Sequence, residues 1–230
     1  MEERQRPGLV IAATGLRAEA RIAARLPQVR PVHGGGNAQR LERLIREAIA
    51  KGGRAVISFG VAAGLASGKG PGTSLIASEV VHGGEEYVAD PVWAGRLQAA
   101  IPRAELAVIA GVNRPLLNPA QKEALQAETG AAAADMESHI AARLAAEHKL
   151  PFAALRVIAD PAEKAVPAAA VAGMRSDGRI DVWAVLAALM RAPGELPALL
   201  RLSADMRRAM AELFRCHRRL GPGLGFFDLV

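Results

Sequence analysis

Cysteine is almost missing from this 230-residue chain, and Cys216 stands alone. An internal disulfide and a cysteine-built metal cluster are therefore excluded, which fits a cytoplasmic protein. Aromatic residues make up only 3% of the chain and hydrophobic residues 51%. A core must then be built from Ala, Val, Leu and Ile, and disorder is not expected. No apolar run approaches the ~20 residues needed to span a bilayer. The opening "MEERQRPG" is charged, and no signal-type apolar stretch follows it. The five histidines have no metal-like spacing, so no metal is expected. "GLASGKG" fails as a phosphate loop, because only three residues separate Gly64 from Gly68 and Gly70 follows Lys69. No Gly-x-Gly-x-x-Gly falls at a strand-to-helix turn, which disfavours a dinucleotide fold. No repeat is visible.

Positive charge is in excess, with a net +6 and a pI near 10.2. That implies an anionic partner or simply a solvated basic surface. "GLVIAAT" (8–14), "RAVISFG", "TSLIASEVVHGG", "ELAVIAGV" and "PFAALRVIAD" (151–160) read as strands. "RAEARIAARL", the segment after Asn37 up to Gly52, "DPVWAGRLQAAI", Asn118 to Thr129, Ser138 to His148 and everything past about 180 read as helices. "VAAGLASGKGPG" reads as a glycine-rich loop. Alternating strands and helices predict an α/β fold: one domain over 1–230, a sandwich with a mixed, mostly parallel sheet. From about 195 a basic amphipathic helix extends it. Leu199, Leu202, Met206, Met210, Leu213 and Leu220 recur at helical steps, and Arg201, Arg207, Arg208, Arg215, Arg218 and Arg219 gather opposite. Such a helix either packs on the domain with its arginines in water or touches an anionic membrane, with "GLGFFDLV" as an apolar tail.

The stretch "AAAADMESHI" (131–140) places Asp135 and Glu137 at the end of an apolar run. Buried carboxylates are costly unless paired, so they either cap a helix or hold a ligand. Met136 reads as core or as ligand contact. Asp160 ends the strand "ALRVIAD", and the carboxyl ends of strands in such sheets are where ligands sit. An apolar wall raises a carboxyl pKa and suits a general acid. A turn residue before Pro161 is an equal reading. "HGGGNAQ" (33–39) is either a flexible loop or an anion site at a helix start.

"ADMESHIAARLAAEHKLPFAALRVIAD" resembles the segment of purine nucleoside phosphorylases and methylthioadenosine/adenosylhomocysteine nucleosidases in which Met-Glu opens a helix and an Arg-x-Ile-x-Asp strand follows. "VISFGVAAGL" resembles that family's glycine-rich loop, and "AATGLRAEARIA" its N-terminal loop. The likeness covers about residues 9 to 165. It implies that Glu137 binds the ribose hydroxyls, that Met136 packs on the sugar, and that Gly60, Val61 and Ala62 line the substrate. Asp160 is implied to protonate purine N7, which makes the base a neutral leaving group. Fixed negative charge would stabilise the cation-like ribosyl centre. Asp135 matches no catalytic position and reads as a cap. Arg17 matches a phosphate-binding arginine, and Glu19 the glutamate that activates water. Val61 and Ser58 stand where phosphorolytic members carry a phosphate-binding serine and an arginine, which favours water as nucleophile.

"GLRAEARIA", "SFGVAAGL" and "DMESH" are most similar to the hopanoid-associated branch. That likeness implies release of adenine from adenosylhopane, a lipid with a nucleoside head. The implied enzyme has no cofactor, with phosphate as a conceivable co-substrate, and is a homo-oligomer. It would lie in the cytoplasm, peripherally at the inner membrane face. The alternatives are a methylthioadenosine/adenosylhomocysteine nucleosidase, a purine nucleoside phosphorylase, or a basic nucleotide- or RNA-binding protein. The scarcity of aromatic stacking surface argues against nucleic acid.

Overall fold

The computed structural model describes residues 9–173 and 182–226. The chain runs β1 (Leu9–Thr14), α1 (Arg17–Ala23), β2 (Val29–His33), α2 (Ala38–Ala50), β3 (Gly53–Gly64), β4 (Ser74–His82) and β5 (Glu85–Val88). It continues through α3 (Pro91–Ala100), β6 (Glu105–Gly111), α4 (Pro119–Thr129), β7 (Ala133–Asp135), α5 (Ser138–Glu147) and β8 (Phe152–Asp160). Three helices follow: α6 (Ala168–Ala172), α7 (Val182–Arg191) and α8 (Leu196–Arg219).

Helix starts obey their local chemistry. Asn37, Asp90 and Asn118 each accept a backbone N–H from the third residue on, at 2.8–2.9 Å. Pro91 and Pro119 occupy first helical positions, where a missing N–H costs nothing. Gly83 and Gly84 both take positive φ, which the tight turn between β4 and β5 requires.

The sheet is mixed and mostly parallel. β1 pairs with β2 and β3, β3 with β8, and β6 with β4 and β7, all in parallel. β3–β7, β4–β5 and β4–β8 are antiparallel. The pairings β3–β7–β6–β4–β8–β3 return to their start, so five strands close a ring. One core lies against α1, α3 and α8, around Phe59, Trp93, Leu155 and Leu213. A second lies against α2 and α5, around Ile11, Ile45, Ile109 and Leu144. This is the α/β sandwich expected.

Four features depart from the sequence reading. "VAAG" is not loop but the end of β3, held between β7 and β8, where Ala63 pairs with Ala134 and with Asp160. β2 carries Pro31, tolerated because β2 pairs only with β1 at the sheet edge. β5 and β7 are too short and too poor in β-branched residues to announce themselves. The C-terminal segment is no free apolar tail. Leu224 is buried, its carbonyl accepts the Trp93 indole N–H at 3.0 Å, and the Phe226 ring packs on Trp93. Residues 227–230 lie outside the described residues. The basic helix packs Ala209, Leu213, Cys216 and Leu220 into the core, leaving Arg201, Arg207, Arg208, Arg215, Arg218 and Arg219 exposed.

Candidate active site

Arg156 sits mid-strand in β8, fully buried. Around its guanidinium stand three acids from other parts of the chain. Asp135 ends β7 and meets Arg156 Nη2 at 3.0 Å. Glu137, two residues on, lies 3.5 Å from the same nitrogen. Glu19 comes from the first turn of α1, and its charge is felt by both Arg156 and Glu137. The guanidinium also donates to Ser58 Oγ, to Ser138 Oγ at 3.3 Å and to the Val61 carbonyl at 3.1 Å. Four segments (the β1–α1 turn, β3, the β7–α5 turn and β8) thus meet at one cation.

The three acids differ in what satisfies them. Asp135 accepts the backbone N–H groups of Glu137 and Ser138 at 2.8 and 2.6 Å, the Ser138 hydroxyl at 2.5 Å, and Arg156. It satisfies two backbone N–H groups at the entry to α5, whose N-cap position is Glu137, and it is a buried ion-pair partner as well. Glu19 accepts from the backbone N–H groups of Gly15, Leu16 and Val61 at 2.9, 2.7 and 2.8 Å. Burial still pushes its carboxyl above the ordinary range, against Arg156 and those donors. Glu137 has the long contact to Arg156 and a backbone hydrogen bond from Met136. Burial pushes it up to about 8, Arg156 opposes, and the nearby Asp135 and Glu19 add to the rise. A carboxyl in that range exchanges its proton near neutrality and can give or take a hydrogen bond.

Two glycines make this convergence possible. A Cβ on Gly60 would stand 2.5 Å from Glu19 Oε1 and 2.8 Å from Arg156 Nη1. One on Gly15 would stand 2.7 Å from Glu137 Oε1. Gly60, expected to line the substrate, here admits the charged side chains.

Asp160 stands four residues beyond Arg156 on β8, roughly 13 Å along the strand. Its carboxyl is raised by burial, as expected, and further by Asp205 on α8. Lys122 opposes both. This lysine, in the first turns of α4, is fully buried, and its Nζ donates to Asp160 Oδ2 at 2.6 Å. Asp160 faces a cavity of about 400 Å³ lined also by Lys164, Ala198, Arg201, Leu202 and Asp205.

The remaining expected residues are placed as follows. Met136 is half-buried between Asp135 and Glu137. Val61 gives its N–H to Glu19, and its carbonyl accepts from Arg156. Ala62 is buried among Leu75, Ala132 and Ile158. Arg17 lies at the start of α1, with its Nε buried and without a hydrogen-bond partner. Its charge and that of Arg40 hold His33 below the usual imidazole range, after burial. Three basic groups therefore gather beside the Gly34–Gly36 turn. Among the described residues, no group of three or more His, Cys, Asp or Glu is arranged to hold a metal ion.

Sequence reasoning passed over Lys122 and Arg156. Arg156 had a signal, as a lone arginine inside an apolar strand and the first residue of the Arg-x-Ile-x-Asp motif. Lys122 had none, since "NPAQKEALQ" reads as an ordinary surface helix.

Residues 28–191 match the family model described as the Phosphorylase superfamily. No curated protein matches the chain. Among solved structures it is similar to the methylthioadenosine/adenosylhomocysteine nucleosidase of Neisseria meningitidis, with a TM-score of 0.67 at 14% identity, covering 92% of this chain and 97% of that one. The futalosine hydrolase of Helicobacter pylori gives 0.67 at 14%, over 92% and 96%. A putative methylthioadenosine nucleosidase of Weissella paramesenteroides gives 0.61 at 17%, over 91% and 97%. With 164 of its 230 residues inside the family match, this chain belongs to the phosphorylase superfamily of N-glycosyl-bond-cleaving enzymes.

Proposed function

We propose that the protein cleaves the N-glycosidic bond of a purine nucleoside and releases adenine. The observation that carries this reading is the placement of two unlike acid sites along β8: Glu19 and Glu137 gathered around its Arg156, and the cavity-facing Asp160 at its end. In this reading Glu137 holds the ribose hydroxyls and Met136 packs on the sugar. The cluster's negative charge stabilises the ribosyl cation as the bond lengthens. Asp160, raised by burial, supplies the proton that lets the purine leave neutral. Glu19, also raised, takes a proton from the attacking water. No cofactor enters this scheme.

Phosphorolysis is the second reading, and Arg17 favours it. A buried guanidinium nitrogen without a partner, beside His33 and Arg40, is suited to an anion such as phosphate. Ser58 does not contribute, because it lies beneath Arg156.

For the substrate we propose adenosylhopane, which extends the resemblance noted in the sequence. α7 turns an apolar stripe outward, Trp183, Leu186, Ala187 and Met190, with Trp183 81% and Met190 84% exposed. α7 and α8 together carry seven arginines and two acids, Asp205 and Glu212, a balance that suits an anionic lipid surface. Contact at the cytoplasmic face of the inner membrane belongs to this proposal. So does a homo-oligomer, for which exposed Val88, Val92 and Leu106 are available.

The test is adenine release from adenosine, methylthioadenosine and adenosylhopane, with and without phosphate. Free ribosyl hydroxyl at C1′ is the expected product. A ribosyl 1-phosphate would transfer the nucleophile's role to the Arg17 site. Asp160→Asn should slow release ~10²–10⁴-fold, and an unchanged rate in a folded variant overturns the role of Asp160.

A further inference from the structure

α4 has one fully buried residue, and it is a lysine, Lys122. A buried ammonium is costly unless its donors and its charge are both met. Its three N–H donors are met: Asp160 Oδ2 accepts at 2.6 Å, the Pro161 carbonyl at 2.8 Å and the Lys164 carbonyl at 3.0 Å. Its charge finds a full counter-charge only when Asp160 is ionised. No N–H is left for a substrate, so Lys122 acts through the group it holds.

An ammonium on Oδ2 makes that oxygen the acceptor, so the neutral acid carries its proton on Oδ1. In the reaction the Asp160 O–H bond breaks as N7–H forms, and the electron pair of the C1′–N9 bond passes into the ring. The purine leaves neutral, and a carboxylate is left 2.6 Å from the Lys122 ammonium. Before transfer the ammonium lies beside a neutral acid. After transfer it lies beside its counter-ion. The contact is therefore stronger in the transition state than in the ground state, which is the condition for lowering the barrier.

The other charged groups bordering Asp160 do not take this part. Lys164, from the segment after β8, is paired with Asp205 of α8 at 3.0 Å. Arg201 of α8 lines the cavity and is exposed. Burial raises the Asp160 carboxyl and Asp205 adds to the rise, while Lys122 and the residue's own backbone N–H hold it back. Burial unopposed would make an acid too weak to part with its proton near neutrality. We propose that Lys122 is a positioning residue for the proton transfer: it fixes the proton of Asp160 on Oδ1 and is the counter-ion of the carboxylate left when that proton passes to purine N7. This rests on the reading of Asp160 as the proton donor.

The experiment compares wild type, Lys122→Met, Lys122→Gln and Lys122→Arg. One arm takes kcat/KM for adenosine between pH 5.5 and 9. The other titrates the Asp160 carboxyl by carbon-13 NMR of aspartate-labelled protein, with Asp160→Asn to assign the signal. A proton donor is active below its pKa, so the rate falls as pH rises through it. In Lys122→Met that alkaline limb and the NMR titration should both move upward by about one pH unit or more, and the rate below the limb should fall at least about tenfold. Lys122→Gln, which can still donate to the two carbonyls, should behave like Lys122→Met, and Lys122→Arg should stay near the wild-type limb. A loss of rate with limb and titration unmoved, or moved downward, would mean a merely structural lysine and overturn the proposal. If neither neutral variant folds, wild type decides: an Asp160 carboxyl still protonated where the enzyme is active supports the proposal, and one ionised throughout that range overturns it. Failure of the reaction assignment looks different, because the NMR titration would still move with Lys122 while wild type released no base from any nucleoside.

Discussion

Replacing Arg156 with Met removes the one cation from a buried group of three acids. Side-chain exposure is 0% for Arg156, 2% for Asp135 and 10% for Glu137. Water cannot take the place of the guanidinium, and Met fills its volume without its donors. Removing one partner from such a pair costs ~3–5 kcal/mol, a large share of the roughly 5–15 kcal/mol that holds a typical domain together. The cost must depend on pH. Glu19 and Glu137 already have raised native pKa values, Glu137 to about 8. The native state therefore binds more protons than the unfolded chain between their ordinary values and those raised ones. Stability falls as pH rises through that window. Loss of Arg156 raises the native values further, so the window widens upward and the deficit grows with pH. Urea unfolding followed by far-UV circular dichroism at pH 5.5 and pH 8 measures this. The variant should be weaker at both pH values, because the buried Asp135 loses its partner at either, with the smaller deficit at the lower pH and ~3–5 kcal/mol at the higher one. Arg156→Lys, which keeps charge but loses the fork, should fall between. A deficit that is equal at both pH values, or larger in acid, refutes the account of a single cation holding three carboxylates.

Two further outcomes follow from the geometry. Gly60→Ala should cost adenine release at least about tenfold and lower Tm, because its Cβ meets Glu19 and Arg156 inside van der Waals distance; wild-type activity and Tm together would show that the cluster yields easily. The chain has two tryptophans, Trp93 buried and Trp183 exposed, so Trp183 reports on α7. Its emission should shift to the blue on anionic vesicles and return with salt. The triple change Trp183→Phe, Leu186→Ser, Met190→Ser should weaken vesicle binding about tenfold while adenosine turnover persists. Equal binding by the variant removes α7 from the membrane reading.

Much of the fold can be read from the sequence because local chemistry and burial agree. Asn37, Asp90-Pro91 and Asn118-Pro119 mark helix starts, and "PFAALRVIAD" is apolar enough to be a strand on no other evidence. Asp160 and Glu137 are legible because each is a carboxylate at the end of an apolar run. The partners of those acids are not. Lys122 meets Asp160 across 38 residues and Glu19 meets Val61 across 42, distances over which no sequence period carries information. The end of β3 escaped for a related reason. "VAAG" has the small residues of a loop, and only its confinement between β7 and β8 makes it strand. α7 reads correctly as a helix, but periodicity cannot tell that an apolar helix faces outward.

The ring of strands also fixes when the charges can be buried. β8 closes it, and Val56 of β3 finds its partner Phe152 only after roughly a hundred intervening residues have been made. Glu19, Asp135 and Glu137 all precede Arg156 in the chain. A ribosome releasing this protein therefore exposes every acid of the cluster before it supplies the cation. Until β8 arrives, the acids are best left in water, and early collapse around them is penalised. The strand that completes the barrel thus brings its own counter-ion, so closure of the sheet and neutralisation of the site become one late, cooperative step.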